Sequence, residues 1–262
     1  MFEGSQYVYY GMYLVGFAIM MVLNLRDHDR YKLTKKEAVW ITLITYVAGV
    51  LGAMLMGKLY TVVSQARGDT GTSNVAIFGA VVFTPIMLCV LFRLMKKDWR
   101  NILDMLTPGI FIILACAKFG CIFEGCCYGV VCDFGLYNPR ANATVFPVQI
   151  FEVITMIPVI IAGQVFVRKY KRYVKGMSYP VTAGLYSIVR FCWEFARYYS
   201  DNMRHVFLGL TFWQIFCVIV LISSVIMFAI LNSQKLRDRE IAAARAAEAA
   251  RRERKAQHRK KK

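Results

Sequence analysis

Three charged residues share one face of a segment that is otherwise apolar. Residues 186–197 place Arg190, Glu194 and Arg197 at spacings of four, three and seven, and residues so spaced lie on one side of a helix. A charge inside a bilayer costs about 2.5 to 3.5 kcal/mol on insertion scales, so the stripe needs a function or a partner. It predicts a polar cavity in which two arginines, oriented by the carboxylate, hold an anionic group. An internal ion network between helices is the alternative.

Two other apolar segments carry ionisable or amide side chains. Lys118 and Glu124 lie within residues 104–128, and Gln149 and Glu152 are three residues apart just after Pro147. Ionisable residues at membrane depth are candidates for function. The spacing of Gln149 and Glu152 puts them on one helix face, and we predict that they line the outer rim of the same cavity. Glycines at near-helical spacing, which favour close helix packing, are Gly120, Gly125 and Gly129.

Four of the eight cysteines occur in one stretch with the pattern Cys-x4-Cys-Cys-x4-Cys, and these are Cys121, Cys126, Cys127 and Cys132. The spacing differs from the usual zinc patterns, which pair ligands two to four residues apart and add a second pair or histidines. Apolar packing of small sulfur side chains is the preferred interpretation. A disulfide on an oxidising side of the membrane and a metal site remain open, but we predict no metal ion and no organic cofactor.

The composition is that of an all-α integral membrane protein. The chain has 262 residues, of which 58% are hydrophobic, and a mean hydropathy of +0.45. A membrane-spanning helix needs about 20 apolar residues. The sequence predicts seven spans, at about Tyr7 to Leu25, Val39 to Val63, Asn74 to Met95, Asp104 to Tyr128, Val148 to Val167, Met177 to Tyr198 and Phe212 to Asn232.

The distribution of Lys and Arg predicts the orientation of these spans. Basic residues concentrate between spans one and two, three and four, and five and six, whereas the other connections carry about one each, namely Arg67, Arg140 and Arg204. Connections rich in Lys and Arg are cytoplasmic. The N-terminus is therefore predicted outside and the C-terminus in the cytoplasm, which requires an odd number of spans.

The last thirty residues differ from the rest of the chain. We predict a seven-helix membrane domain at residues 1–232 and a basic, Ala-rich cytoplasmic tail at residues 233–262, which holds twelve Lys or Arg against four acidic residues. The expected partner of the tail is the anionic inner leaflet, at about 1 kcal/mol per basic residue near the surface. The tail has no aromatic platform for stacking bases, so the net charge of +17 does not predict nucleic-acid binding.

Five motifs in order resemble one family. The sequence from about Tyr9 to Leu231 resembles the bacterial prolipoprotein diacylglyceryl transferases, integral membrane enzymes that move a diacylglyceryl group from phosphatidylglycerol to a cysteine thiol of a lipoprotein precursor. The motifs that carry the resemblance are Tyr10 to Phe17, the signature helix Gly120 to Gly129, the Pro-x-Gln-x-x-Glu element Pro147 to Glu152, the Arg-Phe-x-x-Glu-Phe-x-Arg element Arg190 to Arg197, and Gly209 to Gln214.

The resemblance implies a multi-pass enzyme of the bacterial plasma membrane that acts on phosphatidylglycerol and lipoprotein precursors without a cofactor. In this interpretation Arg190 and Arg197 clamp the lipid phosphate, with Lys118 opposite. Glu152 or Glu194 takes the thiol proton, or Tyr10 orients the reacting group. The residues assigned to catalysis are Arg190, Glu194, Glu152 and Tyr10, and those assigned to substrate binding are Lys118, Arg197, Gln149, Gly129 and Gln214.

The sequence also departs from the family pattern. It has Lys118 where the signature begins with arginine, Cys121 in place of an asparagine, Cys126 in place of a glutamate, and Phe78 in place of a histidine. These differences indicate a divergent branch. Two other functions therefore stay open: a thiol-redox or metal-handling membrane protein that uses the four cysteines, and a small-anion transporter, although we find none of the inverted repeats that favour transport.

Overall fold

The computed structural model describes residues 5–69, 76–169 and 174–233, together with residues 239, 241–243 and 245–246 of the tail. This part of the chain is mostly helical. The long helices are α1 (Ser5–Asp27), α2 (Lys35–Ala66), α3 (Phe78–Leu94), α4 (Trp99–Glu124), α5 (Val148–Lys169), α6 (Ser178–Glu194) and α8 (Phe212–Leu231), with a short α7 (Asp201–Arg204) and a 3₁₀ turn (His28–Tyr31) in the connections.

Five helices in the described part of the chain are long and apolar enough to cross a membrane, and they are α1, α2, α4, α5 and α8. The other two predicted spans correspond to α3 and α6, which have 17 residues each. Helix α3 is apolar but short, and α6 contains Arg190 and Glu194 in its last two turns. Length and composition therefore support a helical membrane protein, while seven crossings remain a prediction.

Two predicted helix ends are corrected by the structure. Span four was expected to reach Tyr128, but α4 ends at Glu124 because Gly125 adopts a left-handed conformation with φ +66°, the usual way in which glycine ends a helix. Span six was expected to reach Tyr198, but α6 ends at Glu194. Arg197 therefore lies beyond the helix and not on its stripe. The predicted start of span three, Asn74, lies outside the described residues.

The prediction of an all-α fold missed a small antiparallel hairpin between α4 and α5. Strand β1 (Val131–Asn138) pairs with β2 (Ala143–Val145), which satisfies backbone groups that have no helical partner. The side chain of Asn138 fixes the turn, because its Oδ1 accepts the Arg140 backbone N–H at 2.9 Å while its Nδ2 donates to the Gly125 carbonyl at 3.0 Å.

Side-chain contacts gather the basic connections at one end of the bundle, which we call the basic end. Lys97 of the α3–α4 connection contacts Glu37 at the start of α2 at 2.7 Å. Lys175 of the α5–α6 connection contacts Asp98 at 2.8 Å. The hairpin and the segment 195–211 lie at the opposite end, where Arg67 donates to the backbone carbonyl of Asn202 at 2.7 Å. The predicted topology requires that the basic connections all lie on one side of the membrane, and these contacts place them at one end of the bundle.

The helices pack around an aromatic centre. The ring of Tyr186 lies 5.5 Å from that of Phe111 and 6.0 Å from that of Phe78, and all three side chains are buried. Helices α2 and α3 approach so closely that a Cβ on Gly79 would come within 2.2 Å of the Gly52 carbonyl oxygen. Small residues allow this contact between backbones, and it holds α3 against the bundle.

Candidate functional site

Glu152 of α5 lies at the centre of a group of buried charges. Its carboxylate contacts three cations, with Oε2 at 3.1 Å from Lys118 Nζ and 2.6 Å from Arg197 Nη2, and Oε1 at 2.9 Å from Arg190 Nη1. Glu152 is 3% exposed. Helix α5 thereby joins α4, α6 and the segment that follows α6 through one side chain.

Glu194 completes this group at the end of α6. It forms an ion pair with Arg190 one turn earlier on the helix, and its Oε2 lies 3.4 Å from Arg197 Nε. The hydroxyl of Tyr199 donates a hydrogen bond to the other carboxylate oxygen. We call Lys118, Glu152, Arg190, Glu194 and Arg197 the buried ion cluster, and each of its members is at most 7% exposed.

The buried ion cluster has more positive than negative charge. Among the described residues it combines three cations with two carboxylates, which leaves an excess of one positive charge. Several of its atoms, namely Glu152 Oε1, Arg190 Nη1, Glu194 Oε2 and Arg197 Nε, lack a well-aligned hydrogen bond in this part of the chain. Buried polar groups normally find such partners. An anion accepts hydrogen bonds only from donors, so the two arginine nitrogens, together with the excess positive charge, are the features of the cluster that suit a bound anion.

Arg197 reaches the cluster because the chain turns back against the segment between α4 and β1. The backbone of Gly129 bridges that of Arg197, and the Val130 N–H donates to the Ala196 carbonyl at 3.0 Å. A Cβ on Gly129 would lie 2.6 Å from the carbonyl oxygens of both Ala196 and Phe146. Gly129 therefore positions Arg197 through its backbone, and its lack of a side chain is required by this close contact.

A small cleft with a volume of about 10 Å³, close to the space of one water molecule, opens beside the cluster. Besides Lys118, Glu152 and Arg190, its lining residues are Thr155, Met156, Tyr186, Val189 and Trp193. The Trp193 indole N–H donates to Thr155 Oγ1 at 3.0 Å and closes the wall between α5 and α6. The cleft therefore combines charged and apolar walls.

Sequence reasoning missed three polar residues around this site. Tyr186 lies four residues before Arg190, and Thr155 lies three residues after Glu152, so helical spacing was a usable signal for both. Tyr199 gave no such signal, because it follows the end of α6 in an irregular segment. Its hydrogen bond to Glu194 depends on the path of the chain.

Besides Gly129, the structure places three of the predicted site residues outside the cluster. Tyr10 is 64% exposed on the outer side of α1. Gln149 donates from Nε2 to the Cys126 carbonyl at 2.7 Å and supports the loop after α4. Gln214 forms a capping box at the start of α8, in which its Oε1 accepts the Thr211 backbone N–H at 3.0 Å.

Two further residues singled out in the sequence, Glu124 and Phe78, also lie apart from the cluster. Glu124 forms an ion pair with Arg140 in the hairpin turn. Phe78 packs against Tyr186 and Trp213, with ring centroids 6.0 and 6.2 Å apart. The aromatic side chain thus supports Tyr186 in the cleft wall by packing, without a polar group of its own.

Comparison with known proteins identifies relatives over most of the chain. The family model described as prolipoprotein diacylglyceryl transferase matches residues 3–230. A phosphatidylglycerol--prolipoprotein diacylglyceryl transferase 2 of Clostridium perfringens is 28% identical over 222 residues, which cover 76% of this chain and 79% of that relative. Enzymes named phosphatidylglycerol--prolipoprotein diacylglyceryl transferase from two strains of Dehalococcoides mccartyi are each 29% identical, over 49% and 63% of this chain and 52% and 65% of their own lengths.

Proposed function

The chain belongs to the prolipoprotein diacylglyceryl transferase family, and from this membership we propose that it transfers a diacylglyceryl group from phosphatidylglycerol to the cysteine thiol of a lipoprotein precursor. The observation that carries the proposal is the excess positive charge of the buried ion cluster. The names of the relatives give the donor and the acceptor.

The change in charge during the reaction fits this cluster. The thiol sulfur attacks a glyceryl carbon, a C–S bond forms, and the C–O bond to the phosphate breaks. The phosphate goes from one negative charge in the phosphodiester to two in the departing glycerol phosphate, and the thiol releases one proton. Preorganised positive charge stabilises the transition state more than the bound lipid, because the negative charge grows as the bond breaks.

We assign the phosphate contacts to Arg190 and Arg197, with Lys118, which shares Glu152 Oε2 with Arg197, as the third cation. A guanidinium group binds two phosphate oxygens at once, whereas the ammonium group of lysine acts as a point charge. Glu152 contacts all three cations, so its role in this proposal is to hold them in place. Glu194 orients both arginines and is the candidate acceptor for the thiol proton.

The proposal includes the membrane arrangement. The enzyme spans the bacterial plasma membrane seven times, with the N-terminus outside and residues 233–262 on the cytoplasmic side against anionic lipid. The clustering of Lys97 and Lys175 at one end of the bundle supports this orientation. A reporter that is active only in the cytoplasm, fused after Lys262, is expected to be active, and activity of a periplasmic reporter there would contradict the orientation.

The direct test uses the full-length protein in detergent or vesicles with phosphatidylglycerol and a peptide that contains a lipobox cysteine. The peptide should gain the mass of one diacylglyceryl group, and glycerol phosphate should appear in equal amount. A peptide with serine in place of the cysteine should gain nothing, because the thiol is the acceptor. Absence of transfer to the cysteine peptide by a folded protein would contradict the proposed function.

A further inference from the structure

Three of the four clustered cysteines meet at the end of α4. The Sγ atoms of Cys121, Cys126 and Cys127 all lie within 4.8 Å of one another, and all eight cysteines, which belong to the described part of the chain, are free thiols. Cys132 lies on β1, with its Sγ beside Gly135, and is not part of this group. Against the expectation from the sequence that no metal ion is bound, we propose that Cys121, Cys126 and Cys127 form a binding site for a thiophilic d¹⁰ metal ion, with Zn²⁺ as the expected occupant.

The distances between the sulfur atoms suit such an ion. A Zn–S bond of about 2.3 Å in a tetrahedral site places sulfur ligands about 3.8 Å apart. The sulfurs, within 4.8 Å of one another, therefore reach this geometry by approaching about 1 Å at most. Thiolates are the ligands that zinc and other thiophilic metals prefer.

The path of the chain brings the ligands together. Gly125 ends α4 in the left-handed region with φ +66°, and Cys127 itself has φ +59°. A non-glycine residue in this region is uncommon and is found in turns and at functional sites. These two backbone reversals within three residues return Cys126 and Cys127 to the last turn of α4, which carries Cys121.

A supporting contact fixes one ligand from outside the group. Gln149 of α5 donates a hydrogen bond from Nε2 to the backbone carbonyl of Cys126 at 2.7 Å. Outer contacts of this kind orient the ligands of metal sites. Gln149, which the sequence suggested for substrate binding, would thereby act as a positioning residue for the thiol site.

The surrounding charge and exposure also fit a metal ion. A divalent ion with three thiolates carries one net negative charge, and Lys118 and Arg197 both interact electrostatically with Cys127. These cations oppose the cost of holding negative charge near the membrane. Cys121 is buried, Cys126 is half-buried and Cys127 is exposed as a whole residue. Three protein ligands leave a fourth position for water or another small ligand.

The test measures metal binding directly, and it needs neither lipid nor transfer activity. The full-length protein is purified in detergent under reducing conditions, freed of metal with a chelator, and titrated with Cd²⁺. Thiolate-to-cadmium absorption and elemental analysis then give the affinity and the stoichiometry, and competition gives the affinity for Zn²⁺. We expect one tightly bound ion per chain. The result of this titration does not depend on whether the proposed function is correct, because a protein without transfer activity can still bind the ion.

Cys127→Ser is the decisive variant, because it removes one of the three thiols and leaves a side chain of nearly the same size. We expect its affinity for Cd²⁺ to fall at least about tenfold, with the same loss in Cys126→Ser. Cys132→Ser and Cys192→Ser are the matched controls, since these thiols lie outside the group, and both should bind like the unmodified protein. Absence of stoichiometric binding, unchanged affinity in folded Cys127→Ser, or an equal loss in Cys132→Ser would overturn the proposal and leave packing as the role of these thiols.

Discussion

The buried ion cluster and the ion pairs of the basic end use the same chemical groups in different surroundings. Glu152 and Arg190 are 2.9 Å apart with side chains 3% and 5% exposed, whereas Asp98 and Lys175 are 2.8 Å apart with side chains 43% and 46% exposed. The distances are nearly equal, so the distance alone does not distinguish the two kinds of contact. What differs is the access of water.

That difference determines what each region does. Water and salt screen an exposed pair, which contributes about 0 to 1 kcal/mol to stability. Removing one partner of a buried group leaves an uncompensated charge and costs about 3 to 5 kcal/mol, although apolar residues of similar volume would often be as stable as the complete group. An exposed pair costs little to keep, because water solvates both charges. The cluster carries a large desolvation cost that stability does not repay, and its excess positive charge fits the anion binding proposed above.

The largest expected effect on stability follows from Glu152→Gln. The amide keeps the shape but removes the charge that three cations contact, so we expect the free energy of unfolding in detergent to fall by about 3 to 5 kcal/mol. Glu37→Gln is the matched control, because it neutralises an exposed carboxylate and glutamine retains the capping-box role. Its effect should stay within about 1 kcal/mol. Equal losses in the two variants would remove the distinction between buried and exposed groups.

Arg190→Lys tests whether the cluster binds the lipid phosphate. The substitution keeps the charge but loses the planar fork, and loss of one contact to a developing negative charge costs about 2.7 to 4 kcal/mol. Diacylglyceryl transfer should therefore fall at least about a hundredfold, and Arg190→Ala should be worse. Insertion, thermal stability and transfer are measured on the same samples. Arg204→Lys, on the exposed surface of α7, should transfer normally, and a folded Arg190→Ala protein with full activity would contradict the phosphate contact.

The sequence could predict the contacts that lie within one helix. Arg190 and Glu194 are one turn apart on α6, and the structure pairs them. Arg197 was assigned to the same stripe, but it joins the cluster from beyond the helix end, by way of the bridge to Gly129. No glycine or proline in the sequence marks the end of α6. The backbone contact found at this end comes from a segment that is distant in the sequence, so the end of the helix could not be predicted.

The sequence could not predict which side of the apolar helix α1 packs against the bundle. Apart from four tyrosines, residues 7–25 contain one polar side chain, that of Asn24, so no polar stripe shows which side of α1 faces the bundle. Tyr9, and not Tyr10, packs over Gly120 of α4, with its hydroxyl 2.8 Å from that of Tyr13. The meeting of Cys121 with Cys126 and Cys127 was equally hidden, since it depends on the left-handed turn after α4.

Asp104→Asn examines a buried carboxylate at the basic end of the bundle. Asp104 is 2% exposed and accepts the backbone N–H groups of Gly176 and Ser178 at 2.7 and 2.9 Å. An asparagine would turn an N–H₂ group towards one of these donors. Hydrogen bonds to charged groups contribute about 1.5 to 3 kcal/mol, so we expect a loss of that size in unfolding free energy. Transfer per folded molecule should not change, and a selective loss of transfer would show that Asp104 affects the distant site.

The smallest expected effect is that of Asp98→Asn, which breaks the exposed contact with Lys175. We expect unfolding free energy to change by about 0 to 1 kcal/mol, and added salt should reduce the change further. Partial burial opposes ionisation of Asp98, but the hydrogen bond and positive charge of Lys175 outweigh it and lower the pKa of this carboxyl below its ordinary value.

The sign of the pH dependence follows from that lowered pKa. A carboxyl whose pKa is lower in the folded state stabilises the protein above its ordinary value of about 3.9, and this contribution disappears as the pH falls through the folded-state value. The difference between Asp98→Asn and the unmodified protein should therefore be constant near neutral pH and vanish in acid. A loss comparable with that of Glu152→Gln, insensitive to salt, would show that the contact between Asp98 and Lys175 is shielded from water. The contrast between the two regions would then rest on something other than burial.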